Sequence, residues 1–445
     1  MPWVDDGNAS LVTDLYELTM AAVYHAHGHH DHATFELSMR SLPPERNFAI
    51  VAGIADVTTY LERLRFDARS LAYLASLDRF DRGFLDFLAG LRFTGDLWAM
   101  PEGTPVFAGE PVLRITAPLI EAQIVETFVL NAVGHQTMVA SKAARVALAA
   151  AGRPFVDFGA RRSHAADAAL KGARAAYLGG AAATSLVLAG LEYGIPVSGT
   201  MAHSYILAHA SEEEAFRRYA RAFPSDAVLL IDTYDTIEGA RIAARVACDL
   251  ADEGVTVGAV RLDSGDLGTL AGKVRSILDE AGAPQVRILV SGGLDEHDVE
   301  RLVTAGAPID GFGVGTRMVT SEDAPSLDVV YKLVEDATGP KMKTSTGKAT
   351  LPGVKQVYRA EHHGMLQGDV IGLARGEHIA GTPLLRPIMT AGRVTTPPDT
   401  LEAARHRCLE TLALLPPALQ RLAPGPAYPV TVSPGITRLV ATLSG

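Results

Sequence analysis

Cysteine is nearly absent from the 445-residue sequence, which holds Cys248 and Cys408 far apart in the chain. Two such residues fit no metal-ligand spacing and no disulfide framework, so a reducing, cytoplasmic setting is expected. Long apolar runs are missing as well. The longest near-apolar stretch, 175–191, is broken by glycines, Thr184 and Ser185 and falls short of the roughly 20 residues a membrane helix needs. It reads as core, and no membrane partner is expected. The opening MPWVDDGNASLVTDLYELTM is acidic early and lacks a basic-then-apolar signal pattern. Positive charge is in deficit, 40 Lys and Arg against 51 Asp and Glu for a net −11, which argues against broad nucleic-acid binding. Lysine is scarcest, eight against 32 arginines, yet five fall between Lys332 and Lys355. Such a cluster suits either an anionic ligand or a solvated loop. What the chain has is apolar residues, 48% of the total, enough for a large core in two domains or in a barrel with additions.

The densest polar chemistry lies in residues 154–204, PFVDFGARRSHAADAALKGARAAYLGGAAATSLVLAGLEYGIPVSGTMAHS. The apolar runs 154–158 and 195–198 are bounded by Gly or Pro and too short for helices, so they read as buried strands. About two helices of Ala and Leu join them, which makes the strands parallel. Asp157, Arg161, Arg162, Ser163 and His164 follow the first, and Thr200, His203 and Ser204 the second. Ligands of parallel α/β folds bind beyond the carboxyl ends of the strands.

Upstream, residues 11–26 read as an amphipathic helix bearing Tyr16, 33–39 as an alternating strand that delivers Arg40, 95–118 as a small β domain and 122–151 as helix. Downstream, strands at 228–232, 257–262, 286–290 and 311–314 alternate with helices at 238–253, 267–281 and 296–305. This beat predicts an α/β fold: an irregular or incomplete α/β barrel, with an additional α+β domain built mainly from the N-terminal part. An open doubly wound sheet is the rival. It gathers its chemistry at one switch point, whereas here every strand end carries site-like residues.

The glycines after the last two strands, Gly292 and Gly293, then Gly313 and Gly315, expose backbone N–H groups to a phosphate, although glycine turns end many strands. Asp232, Asp235, Asp263 and Asp266 suit a divalent metal or ribose hydroxyls. Asp266, just before Leu267, reads instead as a helix N-cap. Arg161, Arg162 and Arg261 suit a grip on carboxylate or phosphate, one of the adjacent pair being expected in a structural ion pair. His203 follows a Gly-Thr turn at a strand end, a functional placement set against the commoner structural histidine.

With these residues in view, TDLYELTM, DFGARRSH, VSGTMAHS, LLIDTYDT, VRLDSGDL, VSGGLDE and DGFGVGTRMV together resemble the nicotinate phosphoribosyltransferase family, from about residue 11 to the closing YPVTVSPGITRL. The resemblance implies transfer of phosphoribose from phosphoribosyl pyrophosphate (PRPP) to nicotinate. The products are nicotinate mononucleotide and pyrophosphate, in the first step of NAD salvage from nicotinate. It also implies Mg²⁺, ATP as co-substrate and coupling through a phosphorylated histidine matching His203. Asp263 would hold ribose hydroxyls. Asp232 would orient His203 and is the candidate for Mg²⁺, whose ligands are otherwise open.

By the same matching, nicotinate would lie between Phe158 and the partner subunit's aromatic ring matching Tyr16, in a homodimer with shared active sites. Arg261 would grip its carboxylate with Arg161 beside it, and Thr184 and Ser185 stand where amide-using relatives place an aspartate. The phosphates of PRPP or ATP would meet Arg40, Ser264, Gly292, Gly293, Gly313, Gly315 and Lys332. The expected domains are 1–125, 126–335 as the barrel, and 336–445 returning to the first. Alternatives are nicotinamide or quinolinate as the base, or a catalytically idle nucleotide-binding regulator.

Overall fold

The computed structural model describes residues 4–345 and 350–444, so Lys348 of the lysine cluster lies outside the described residues. The chain divides into two compact units, residues 142–325 and residues 1–141 with 326–445.

The 142–325 unit is built on six strands: β1 (Phe155–Asp157), β2 (Ala183–Thr184), β3 (Ala227–Leu230), β4 (Val257–Leu262), β5 (Arg287–Val290) and β6 (Gly311–Val314). They lie in the order β2-β1-β6-β5-β4-β3, and every pairing is parallel. The last strand returns beside the first, as in a barrel and unlike an open sheet. The ring stays incomplete, because β2 and β3 are the two free edges. The strands form because their runs are apolar and buried on both faces; AVLL of β3 is buried throughout. The following helices start where aspartates cap them. Asp235, Asp266 and Asp295 each accept the third backbone N–H of a helix.

The strand expected at 195–198 is a single bridge from Val197 to Thr184. The second strand is β2, inside the tract read as helix. The helix Ala166–Leu178 stops at Gly179, and Gly180 at φ +117 turns the chain so that two residues slot beside β1.

In the other unit, His32–Met39 pairs antiparallel with both Pro111–Pro118 and Val329–Asp336 in a seven-stranded sheet. Asp96–Ala99 pairs with Pro111–Pro118 in the same sheet, so 95–118 is not a separate small domain. The strand His32–Met39 buries polar Thr34 and Glu36 along with its apolar residues, and Glu36 is answered by buried Lys355 at 2.8 Å. Two domain limits therefore move. The pairing of Val329–Asp336 draws 326–335 out of the barrel unit, and the continuous helix Glu126–Ala150 carries the first boundary to 141/142.

Candidate active site

A cavity of about 200 Å³ occupies the barrel interior, and Phe158, Ser198, Thr200, Arg261, Leu289 and Gly313 are among its lining residues. Phe158 directly follows β1, and its N–H donates to the Val314 carbonyl at 2.9 Å. Its ring fits because position 313 lacks a side chain; a Cβ there would stand 2.5 Å from ring carbons. Arg261, at the end of β4, brings its guanidinium carbon to 6.0 Å from the Phe158 ring centroid. Its Nε is buried with no hydrogen-bond partner. Burial pulls the Arg261 pKa down, Asp263 and Asp232 push against that shift, and Arg161 adds to it. A desolvated guanidinium with a free donor beside an aromatic face is built to receive a planar anion.

Thr184 and Ser185 take different places. Thr184 is fully buried and donates its hydroxyl proton to Asp157 Oδ2 at 2.8 Å, so it has no proton left for a ligand carboxylate. Asp157 also accepts from the Gly159 N–H at 2.8 Å. Burial raises the Asp157 pKa, and those two bonds oppose the rise. Ser185 is exposed, and its N–H donates to the Asp157 carbonyl at 2.9 Å. Arg161 and Arg162 are both exposed and form no ion pair among the described residues, so the expected structural partner is not one of them.

At the ends of β3, β4 and β5 the polar residues interlock. Asp232 Oδ2 accepts from the Asp263 N–H at 2.9 Å and from Ser264 Oγ at 2.7 Å, while its Oδ1 is buried without a partner. Ser291 Oγ donates to Asp263 Oδ1. Gly292, at φ +109, lies so close to this turn that a Cβ would stand 2.0 Å from the Asp263 carbonyl oxygen. Gly315 passes near Phe158, where a Cβ would be 3.0 Å from the Phe158 carbonyl oxygen. His203 opens the short helix His203–Leu207 with its side chain 41% exposed. Its Nδ1 lies 3.1 Å from Thr233 Oγ1 and its Nε2 3.9 Å from Asp263 Oδ2. The expectation that Asp232 orients His203 is therefore corrected: Asp232 braces the 263–264 turn, and its neighbour Thr233 holds the imidazole. The only sequence signal for Thr233 was its place in LLIDTYDT.

Among the described residues no group of three or more His, Cys, Asp or Glu side chains is placed to hold a metal ion. Asp232 Oδ1 is a buried carboxylate oxygen still without a partner there. That suits Mg²⁺ bound in the manner of phosphate-transfer sites, where one or two carboxylates act together with substrate phosphates.

Glu212, missed in the sequence, begins the helix Glu212–Ala222 and is buried with Oε1 unpartnered. Burial, then the charges of Glu238, Asp232 and Asp235, push its pKa up to about 7 from 4.5. The folded state thus binds this proton more tightly than the unfolded chain. Its contribution to stability is intact below about pH 4.5 and is lost as pH rises through about 7. Glu212→Gln is expected to raise the thermal unfolding midpoint by about 3 °C at pH 8 and not at pH 4.5. Scanning calorimetry at the two pH values checks this.

Tyr16, Arg40 and Lys332 belong to the other unit. Tyr16 stands 46% exposed on the helix Leu15–Ala26. Burial, then Glu126, raises its pKa. Arg40 lies 3.5 Å from Asp328. Lys332 sits opposite Glu36 in the sheet register, and its charge acts on Glu126. Two more of the clustered lysines have other work. Lys355 is buried against Glu36 and donates to the carbonyls of Leu351 and Gly353, and Lys341 pairs with Asp336 at 3.2 Å.

Family models described as the nicotinate phosphoribosyltransferase (NAPRTase) N-terminal domain, family and C-terminal domain match residues 11–134, 154–352 and 376–440. The chain is 50% identical over 436 residues to nicotinate phosphoribosyltransferase pncB2 of Mycobacterium tuberculosis (strain H37Rv), covering 98% of this chain and 94% of that one. It is 44% identical over 380 residues to nicotinate phosphoribosyltransferase of Bacillus subtilis, covering 83% and 77%. Among solved structures, human nicotinic acid phosphoribosyltransferase superposes with a TM-score of 0.86 at 29% identity, over 97% of this chain and 100% of that one.

Proposed function

The chain belongs to the nicotinate phosphoribosyltransferase family, and on that premise we propose that it transfers phosphoribose from PRPP to the ring nitrogen of nicotinate, releasing pyrophosphate. The observation that carries this reading is Arg261, a desolvated guanidinium with an unpartnered Nε beside the Phe158 ring. A pyridine carboxylate satisfies both at once, the carboxylate on the guanidinium and the ring on Phe158. Nicotinate then presents its own nucleophilic nitrogen, so the transfer needs no protein nucleophile. As the bond to pyrophosphate lengthens, positive charge grows on the ribose, where Asp263 stabilises it. Bound Mg²⁺, with Asp232 as its protein ligand, would neutralise charge on the departing pyrophosphate.

The same surroundings favour nicotinate over nicotinamide. A carboxylate answers the Arg261 guanidinium, whose buried Nε has no partner, whereas a neutral carboxamide leaves that charge uncompensated. Quinolinate, with a second carboxylate, would call for more cations than Arg261 and Arg161.

ATP coupling rests on His203. In the tautomer whose Nδ1–H donates to Thr233 Oγ1, the lone pair lies on Nε2. Nε2 attacks the γ-phosphorus, ADP leaves, and hydrolysis of the phosphohistidine returns the imidazole and inorganic phosphate. Tyr16, Arg40 and Lys332 act from the second subunit of a homodimer. Mixing inactive Tyr16→Ala and Arg261→Ala proteins, with subunit exchange verified, is then expected to recover up to about a quarter of wild-type activity through one intact site per hybrid. No recovery would place each site within one chain.

Product analysis tests the reaction itself. With nicotinate, PRPP and Mg²⁺, the purified protein is expected to form nicotinate mononucleotide and pyrophosphate in equal amounts. Nucleotide binding without products would point to the regulator.

A further inference from the structure

Side-chain charge joins the glycine loops that follow β5 and β6. The β5–β6 pairing ends at Val290 and Phe312, and beyond it Gly292 and Gly293 run at φ +109 and +73. Glycine has the widest conformational freedom of any residue, so such loops do not set their own spacing. Their roots are fixed first. Lys142, its side chain only 3% exposed, donates from Nζ to Glu296 Oε1 at 2.8 Å and lies 2.8 Å from Asp323 Oδ1. Arg145 Nε donates to the same Glu296 oxygen at 2.9 Å. One helix, Glu126–Ala150, thereby grips both the helix start after the β5 loop and the turn that follows β6.

Nearer the glycines, Arg317 makes the second tie. It stands two residues after Gly315, and its Nη1 donates at 2.8 Å to Oδ2 of Asp295, two residues after Gly293. The same Nη1 lies 3.3 Å from Asp298 Oδ2, and Nε lies 3.1 Å from Glu322 Oε2. Asp295 has another partner: its Oδ1 accepts the Asp298 N–H at 2.9 Å and caps the helix Glu296–Thr304. Movement of the β6 loop is therefore passed to the β5 loop through one carboxylate. A pair this exposed, 40% and 20% for the two side chains, adds little to stability. What it fixes is geometry.

We propose that Arg317 is a positioning residue that holds the two glycine loops at one spacing, so that their backbone N–H groups converge on the phosphate that PRPP carries into the product. This inference rests on the function proposed above, since it takes Gly292, Gly293, Gly313 and Gly315 to meet that phosphate. Arg317 turns its guanidinium to Asp295, Asp298 and Glu322, and acts on the phosphate through the loops.

A double-mutant cycle tests it. Arg317→Ala is expected to raise the KM for PRPP about tenfold, while the KM for nicotinate stays within about twofold and the urea midpoint holds. Asp295→Asn keeps the helix cap but removes the charge, and is expected to raise the KM for PRPP about fivefold. The double variant is expected to be no more than about twofold worse than Arg317→Ala, because both changes break one tie. Arg317→Lys keeps the charge and is expected within about threefold of wild type. An unchanged KM for PRPP in Asp295→Asn would overturn the proposal, since Arg317 would then meet the phosphate itself. Effects that multiply in the double variant, a Lys variant no better than Ala, or a KM for nicotinate or a urea midpoint that shifts in step would overturn it too. If wild type does not turn over nicotinate, the functional reading fails, and PRPP binding by calorimetry still decides the role of Arg317. The dissociation constant is expected to rise about tenfold in Arg317→Ala and about fivefold in Asp295→Asn. Wild-type values in either variant, or no binding by wild type, would overturn the proposal.

Discussion

His203→Ala loses all stimulation by ATP and keeps a slow transfer of phosphoribose at saturating nicotinate and PRPP. In the proposed reaction the two effects separate because the transfer uses the nitrogen of nicotinate, whereas ATP would enter only through the imidazole. His203 is exposed enough to be reached, is fixed at Nδ1 by Thr233, and has Asp263 3.9 Å from Nε2. Removing the ring takes away the phosphoryl acceptor and leaves Arg261, Phe158 and Asp263 in place. The expected record is ADP formation at background and pyrophosphate release at the ATP-free rate of wild type. If His203→Ala instead failed to bind nicotinate and PRPP, the histidine would be a support for the strand ends. Thr233→Val is the graded companion, with weaker ATP stimulation because Nδ1 is no longer held.

Arg261→Ala carries the other large effect, a rise in the KM for nicotinate of about 10²–10³-fold, since truncating one side of a desolvated charge pair costs about 2–5 kcal/mol. Arg261→Lys recovers little of this, because an ammonium cannot present two parallel N–H donors. Stability should move the other way. The buried Nε has no partner in the free protein, so deleting the guanidinium relieves a desolvation cost and the urea midpoint is expected to hold or rise. Binding measured by calorimetry and unfolding measured on the same samples check both halves. A loss of stability in step with the loss of binding would make Arg261 a structural residue.

How far the site was legible in the sequence depended on length scale. The runs at β3, β4, β5 and β6 each continue for four residues or more, and three of the helices that follow in this unit open at an aspartate cap, so the barrel rhythm shows in the sequence. The two residues of β2 are too few to carry any period. They sit in an Ala-rich tract whose local preference is helical, and only pairing with β1 makes them a strand. The boundary near residue 141 was hidden for the opposite reason, one continuous helix running across it.

Side-chain roles were legible where one chemistry dominates and not where two groups compete for one proton or one charge. A guanidinium at the end of β4 reads as an anion grip from its position alone. Whether Asp232 or Thr233 holds His203 depends on which oxygens the 263–264 turn has already taken. Thr184 lost its expected role to a bond with Asp157, a residue 27 positions away. Lys355 belonged to a lysine cluster in the sequence, but burial against Glu36 gives it to the sheet.

The measurement that bears most directly on the central claim is a competition in one vessel. Equal concentrations of nicotinate, nicotinamide and quinolinate are offered to the protein with PRPP and Mg²⁺, with and without ATP, and the mononucleotides are counted. Nicotinate mononucleotide as the dominant product, formed faster with ATP, is the predicted result. A dominant product from either other base would contradict the assignment of Arg261 as the residue that selects the base, and no mononucleotide at all would contradict the assignment of the strand ends as a transferase site.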